Sequence, residues 1–225
     1  MGIKAVGIEL EGAWIGPKAP FLTETPPCPL THDVSVMAPE GWVKGMGHWG
    51  ECVSPGKGIP PKEAVPWTLA HYPSHISKTT GLGLPTEKSV GLHIHVSFEE
   101  KEWEYRACAQ KAFHDHILEG FRKWGEKMKL PPDHIFWHRW RGGNRFCTRD
   151  FRPAIQMRMS GKGHNNLERR TQINFSHFMD TIEFRMLPMF PDARLTGEEV
   201  RKIDKEMAAD SVKHYLFLVE EWLKM

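Results

Sequence analysis

The chain reads as an α+β domain with a curved, largely antiparallel β-sheet and helices packed on one face. Three observations predict this. The runs Gly7-Ile8-Glu9-Leu10-Glu11, Gly91-Leu92-His93-Ile94-His95-Val96 and Thr181-Ile182-Glu183-Phe184-Arg185-Met186 alternate apolar with charged side chains, the period-2 signature of strands with one buried face. Two longer stretches carry apolar residues at helical spacing. The order is strands, helix, strands, helix, with runs too short and irregular for repeated βαβ units, which favours antiparallel pairing.

Taken in order, residues 3–14 form a first strand, and the Pro- and Thr-rich segment from Gly16 to Pro29 a loop. His32-Asp33-Val34-Ser35-Val36 fits a second short strand, and Trp49 to Pro55 a third, stopped by Pro55 and the turn residues that follow. Residues 62–76 are helical in composition but interrupted by Pro66 and Pro73. A Gly-rich loop, Thr79 to Leu84, feeds the His-x-His strand. Residues 101–129 are the clearest helix, with Trp103, Ala107, Phe113, Ile117, Phe121, Trp124 and Met128 near helical spacing and Pro131-Pro132 ending the run. Residues 133–165 show no sustained period and read as a long aromatic and basic loop. Alternating runs follow at 170–178 and 181–187. A C-terminal helix opens at Thr196 with Glu199 as a capping box, and its stripe runs Val200, Ile203, Met207, Val212, Tyr215, Val219 and Trp222.

At 225 residues the chain is read as one domain, 1–225, large enough for a substantial core. Thirty basic and 28 acidic residues leave a net charge of only +2, so no bulk polycation argues for nucleic acid or membrane binding. Cys28, Cys52, Cys108 and Cys147 are widely spaced without Cys-x-x-Cys, which suits reduced thiols. No apolar run approaches the roughly 20 residues of a membrane span, and Glu9 and Glu11 precede any signal-peptide core. The expectation is a soluble, cytoplasmic protein.

The chemistry resides on the charged strand faces. Glu9 and Glu11 lie roughly 6.6 Å apart along a strand, where bare carboxylates repel and favour hard cations such as Mg²⁺ or Mn²⁺. Alone, Glu-x-Glu equally suits a solvated strand face. His93 and His95 can ligate metal or bond phosphate oxygens, or stand without function on a polar face. Glu183 and Arg185 can be a simple same-face ion pair, and Glu51 is a lone strand acid. Combination shifts the balance. Gln172, Asn174 and Ser176 share one parity in the run 170–178, opposite Ile173 and Phe175, which adds amides and a hydroxyl to a polar face. The apolar faces would meet the helices, and the charged faces would line an open, concave side.

Gly91-Leu92-His93-Ile94-His95-Val96-Ser97 resembles the Gly-x-His-x-His-x-Ser signature of glutamine synthetases. Glu183-Phe184-Arg185 is similar to their late Glu-x-Arg, and Glu9-Leu10-Glu11 to their early Glu-x-Glu. The closer likeness is to the amidoligase family of the glutamine synthetase and glutamate–cysteine ligase superfamily. It rests on those motifs with Asp33-Val34-Ser35, Gly50-Glu51-Cys52-Val53-Ser54-Pro55 and Thr181-Ile182-Glu183-Phe184-Arg185, in family order over roughly residues 5 to 190.

The resemblance implies a glutamine synthetase catalytic-domain-like sheet and an ATP-dependent carboxylate–amine ligase working through an acyl phosphate, with Mg²⁺ or Mn²⁺ bridging the phosphates. It places Glu11 and Glu51 on one ion, and Glu9, His93 and Glu183 on another. His95 would bond nucleotide together with Ser97, Arg170 and Asn174, and Arg185 would stabilise the transferred phosphoryl group or bind the substrate carboxylate. Asp33 would receive the amine or its proton, although Asp-x-Ser also opens turns. The segment Arg139 to Phe146 suits wrapping of phosphates, with Arg145 as anion clamp. His114 and His116, on different faces of a helix, read as structural.

The partners implied are a small-molecule or peptide carboxylate and an amine. Two other readings stay open. A metal-dependent hydrolase using Glu9, Glu11, His93 and His95 around activated water needs no ATP. A non-catalytic nucleic-acid-binding module would use Arg139 to Arg152, against the near-neutral charge.

Overall fold

Alternation over the first fifteen residues produces the longest strand and the hub of the sheet. The computed structural model describes residues 2–15, 30–31, 47–72, 91–109, 111–143, 147–149, 171–174, 181–189 and 198–225. In it, β1 (Ile3–Ile15) pairs antiparallel with β3 (Gly47–Val53) on one side and β4 (Gly91–Phe98) on the other. β2 (Leu30–Thr31) continues the sheet past β3, and β6 (Ile182–Pro188) followed by β5 (Ile173–Asn174) continues it past β4. The order is β2-β3-β1-β4-β6-β5, and every neighbouring pair is antiparallel.

The class is α+β, but the curved, glutamine synthetase catalytic-domain-like sheet expected from the sequence is not formed. The six strands make an open sheet, neither closed nor strongly curled, with β2 and β5 at its ends. Alternation reports which face of a strand is buried. Coiling depends on twist and bulges accumulated across neighbours, which alternation does not encode.

One sheet face is apolar and fully buried: Ile8 and Leu10 of β1, Leu92, Ile94 and Val96 of β4, Phe184 of β6. The helices in chain order are α1 (Pro61–His71), α2 (Lys101–Ala109), α3 (Lys111–Lys127), α4 (Ile135–Trp140) and α5 (Glu198–Leu223). Phe184 joins sheet to helices: its ring stacks on Tyr215 of α5 at 4.6 Å and on Phe121 of α3 at 4.8 Å. Such ring pairs add about 0.5–1.5 kcal/mol each beyond their burial. At the crossing of α3 and α5, a Cβ on Gly120 would lie 2.4 Å from Leu218, so the close approach requires glycine. Trp124 donates to Asp210 there, and His116 and His214 bond the carbonyls of Leu218 and Gly120. α1 packs against β1 and α5.

Several local expectations are corrected. The helix expected over 101–129 is described as α2 and α3, with residue 110 between them outside the described residues. Pro66 sits inside α1 without ending it. The supposed loop after Pro132 contains α4, too short to show a period yet anchored by buried Phe136 and Arg139. Cys52 is disulfide-bonded rather than reduced, a pairing that spacing does not reveal, and Cys147 is a free, buried thiol. The strand expected at 32–36 and the cap expected at Thr196 lie outside the described residues. Among the described residues, no helix is long and apolar enough to cross a membrane.

Burial also makes stability depend on pH. His114 of α3 is buried, and burial holds its pKa down to about 4 from 6.5, with Asp115 at 3.7 Å opposing the shift. Between those values the unfolded chain binds more protons than the folded one, so stability falls as pH drops. The shift corresponds to about 3 kcal/mol. His114→Gln should therefore flatten the decline of the urea midpoint between pH 6.5 and 4.5. An unchanged decline would show that His114 does not carry it.

Candidate metal centre

The second face of the sheet is built by cross-strand pairing. Antiparallel register sets Glu9 opposite His93, Glu11 opposite Glu51, His95 opposite both Gly7 and Glu183, and Glu183 opposite Asn174. Directly paired residues share a face. Five strands thus contribute polar groups to one surface.

A bulge completes it. Ile94 pairs with Phe184 but Leu92 pairs with Leu187, so Arg185 and Met186 both stand opposite His93. The bulge turns the carbonyls of Arg185 and Met186 toward Arg139 of α4, which donates to them from Nη2 at 2.8 Å and Nε at 3.2 Å. Gln172 ties this corner down by donating to the carbonyls of Arg139 and Trp140 at 2.7 Å.

The groups converge closely. His93 Nδ1 lies 3.1 Å from Glu9 Oε2 and 3.5 Å from Glu183 Oε1, and its Nε2 faces Glu11 Oε1 at 3.7 Å. His95 Nε2 is 3.1 Å from Glu9 Oε1 and 3.9 Å from Glu183 Oε1. One ligand atom each from Glu9, His93 and Glu183 lie within 4.8 Å of one another, a set able to hold a metal ion. Arg185 pairs with Glu183 Oε1, while Asn174 donates to Glu183 Oε2 at 2.7 Å. The Gly91 amide donates to Glu11 Oε2 at 2.6 Å.

The face is not the open, solvated side expected from alternation. Glu11, His93, His95 and Glu183 side chains are 2–6% exposed, and Glu9, at 16%, is the most accessible. Burial opposes charge here, and the neighbours decide the outcome. Glu9 is held well below the usual carboxylate range because its bonds to His93 and His95 outweigh burial. Glu183 is also lowered, by the Arg185 guanidinium against the cost of burial. For Glu11 burial prevails and the pKa rises. Burial pushes His95 down, but the field of Glu183 and the contact with Glu9 leave it raised.

The donor set fits a divalent cation. Two carboxylates within 4.8 Å of each other repel by about 3 kcal/mol at an effective dielectric of 20, and a dication reverses the sign. The second nitrogen of His93 faces a carboxylate, the usual orienting arrangement for a metal-binding imidazole. Asn174 Oδ1 and Arg185 Nε are buried without a hydrogen-bond partner among the described residues, so polar capacity remains at the centre.

Of the residues singled out from sequence, the structure gathers Glu9, Glu11, His93, His95, Asn174, Glu183 and Arg185. Glu51 is half-buried beside Glu11 across the β1–β3 pair. Ser97, whose hydroxyl donates to the Ala5 carbonyl at 3.4 Å, lies further along β4 than His95. Asp33, Arg145 and Arg170 lie outside the described residues. Arg139 is corrected: it is a buried brace on backbone carbonyls rather than part of a phosphate-wrapping loop, because the β6 bulge offers those carbonyls where no water reaches. Gln172 likewise caps α4 instead of facing the cluster.

Two contributors belong to the quoted motifs without a role of their own there. Thr181 Oγ1 is 3.2 Å from His95 Nδ1 and so orients that ring toward Glu9; in sequence it shows only as the first residue of Thr181-Ile182-Glu183-Phe184-Arg185. Gly91 is the other. A Cβ there would lie 2.7 Å from Arg139 Nη2 and 2.8 Å from His93 Nε2, so side-chain volume would displace both.

The Arg185–Glu183 pair is testable apart from any ion. Arg185→Met leaves a buried carboxylate without its cation, and should cost about 3–5 kcal/mol at pH 7 in urea unfolding. Burial then raises the Glu183 pKa above its unfolded value, so the deficit should shrink as pH falls from 7 toward 4.5. A deficit independent of pH would contradict this electrostatic account.

No protein-family model matches the chain, and no curated protein or solved structure does.

Proposed function

We propose that this face is a divalent-metal-dependent catalytic centre, with the ion held by Glu9, His93 and Glu183. The observation that carries the reading is the convergence of two carboxylate oxygens and one imidazole nitrogen, from three adjacent strands, within 4.8 Å on a buried face. An oxygen-rich set with a single imidazole suits Mg²⁺ or Mn²⁺. When bound, such an ion supplies Lewis acidity and lowers the pKa of its water.

By itself the cluster supports metal-dependent hydrolysis. His95 presents Nε2 beside Glu9 and is held from behind by Thr181, a position from which its protonated ring can donate a proton to a leaving group. Burial excludes bulk solvent from these groups, and Glu9 is the point of entry.

A second reading, ATP-dependent carboxylate–amine ligation through an acyl phosphate, is favoured by a specific observation. Arg185 lies against Glu183 with its Nε unpartnered, which suits a guanidinium that meets a transferred phosphoryl group. The residues that the amidoligase resemblance assigns to metal, Glu9, Glu11, Glu51, His93 and Glu183, also share one face, which supports the same reading.

Calorimetric titration with Mn²⁺ tests the common claim. The wild type should bind, and Glu183→Gln should weaken binding by more than the roughly 10–100-fold that a change behind the ligands costs, without loss of fold by circular dichroism. Equal binding by the variant would remove Glu183 from the centre. Phosphate release then separates the readings. ADP and phosphate formed only when acid and amine are both present indicate ligation; ester or amide cleavage with Mn²⁺ and indifferent to ATP indicates hydrolysis. Arg185→Lys should suppress ligation strongly, since an ammonium lacks the planar fork; undiminished ligation would exclude that role for Arg185.

A further inference from the structure

A cavity of about 420 Å³ opens beside Glu9 and His95, within the range of small-molecule sites. The sequence of β1 makes room for it. The polar-face positions preceding Glu9 are Ala5 and Gly7, where a longer side chain would fill the space. At Gly7 even a Cβ would lie 3.1 Å from His95 Cβ.

The wall opposite is a short excursion of the chain fixed at both feet. Ser54 bonds Ile8 twice, from its amide to Ile8 O at 2.8 Å and from the Ile8 amide to its own Oγ at 2.9 Å. The chain leaves β1 there and returns at Ile59, which exchanges two backbone bonds with Val6 at 2.8 and 2.9 Å. Between the feet, Gly58 has φ +94°, and a Cβ on it would meet Val6 O at 3.0 Å. The turn therefore holds its shape and carries Lys57 at its tip.

Lys57 and Lys4 both line the cavity and are exposed, and neither has an ion-pair partner among the described residues. Glu9, His95 and Thr181 also line it. The site is thus polarised, with cations on one part of its wall and the metal-centre acid on another. The lining among the described residues contains no Phe, Tyr or Trp.

We propose that this cavity is the substrate site of the metal centre and takes a small oxyanion. A carboxylate or phosphate sits against Lys4 and Lys57, and the reacting group faces Glu9 and His95. This rests on the metal-centre reading and adds the substrate's class and orientation. Charge favours this orientation, since the two exposed lysines attract the anionic end.

The test uses glutarate and glycerol 3-phosphate as probes, titrated calorimetrically into the full chain with and without saturating Mn²⁺. The wild type should bind at least one of them; glutarate alone identifies a carboxylate site, glycerol 3-phosphate alone a phosphate site. The double variant Lys4→Glu, Lys57→Glu should weaken binding at least tenfold by reversing the field. Ala5→Leu should do the same by filling the cavity. Both should retain the wild-type Mn²⁺ isotherm and melting temperature, which excludes misfolding as the cause. Absence of binding to the wild type, or affinities within twofold of it in both variants, overturns the proposal. Anion binding that depends on Lys57 in a chain that binds no Mn²⁺ would support the cavity's specificity and defeat the metal-centre reading instead.

Discussion

Glu11 and Glu183 are buried and Glu9 is half-buried on one face of a sheet, and such charges persist only with compensation. Arg185 pairs Glu183 directly, His93 and His95 stand between Glu9 and Glu183, and Asn174 and the Gly91 amide fill further acceptor sites. The compensation leaves the acids unequal. Glu9 and Glu183 are biased toward charge, while burial drives Glu11 toward its neutral form. The two acids that stay charged are those that join His93 in the metal-capable set.

Packing on the opposite face fixes where these groups stand. Phe184 lies between Glu183 and Arg185 in sequence and points into the helical layer, where Tyr215 and Phe121 clasp its ring. Shifting β6 by one residue would exchange the apolar and polar sets, so the same ring stack that joins sheet to helices also holds the acid and base in register. Arg139 performs the corresponding task at the bulge. Its guanidinium bonds the carbonyls of the strand that bears Arg185, and its chain neighbours complete α4. Core and site are therefore one construction, seen from two faces.

Much of this was legible in the sequence. Period-2 alternation identified β1, β4 and β6 and the charged face of each, because a half-buried strand leaves that pattern. Helical spacing similarly announced most of α2, α3 and α5. Sheet shape was not legible, since openness depends on how strands twist together rather than on any one strand. Nor was the burial of the polar face, because alternation distinguishes the two sides of a strand but does not say what covers the second. Arg139 illustrates the limit. A basic residue in a basic, aromatic segment suggests a solvated anion clamp, and only the bulge in a strand 46 residues away explains why it is buried. In the candidate site, the adjacency of Glu9, His93 and Glu183 was inferable from motif order, whereas the orienting Thr181 and the space-making Ala5 and Gly7 carry no chemical signal of their own.

The central claim is that the buried acids and imidazoles share a cation. Anomalous X-ray diffraction from crystals grown with Mn²⁺ addresses it most directly. The account predicts an anomalous peak enclosed by Glu9, His93 and Glu183, with Arg185 still against Glu183. A map with no peak at that position, and the three side chains contacting one another as ion pairs, would contradict it.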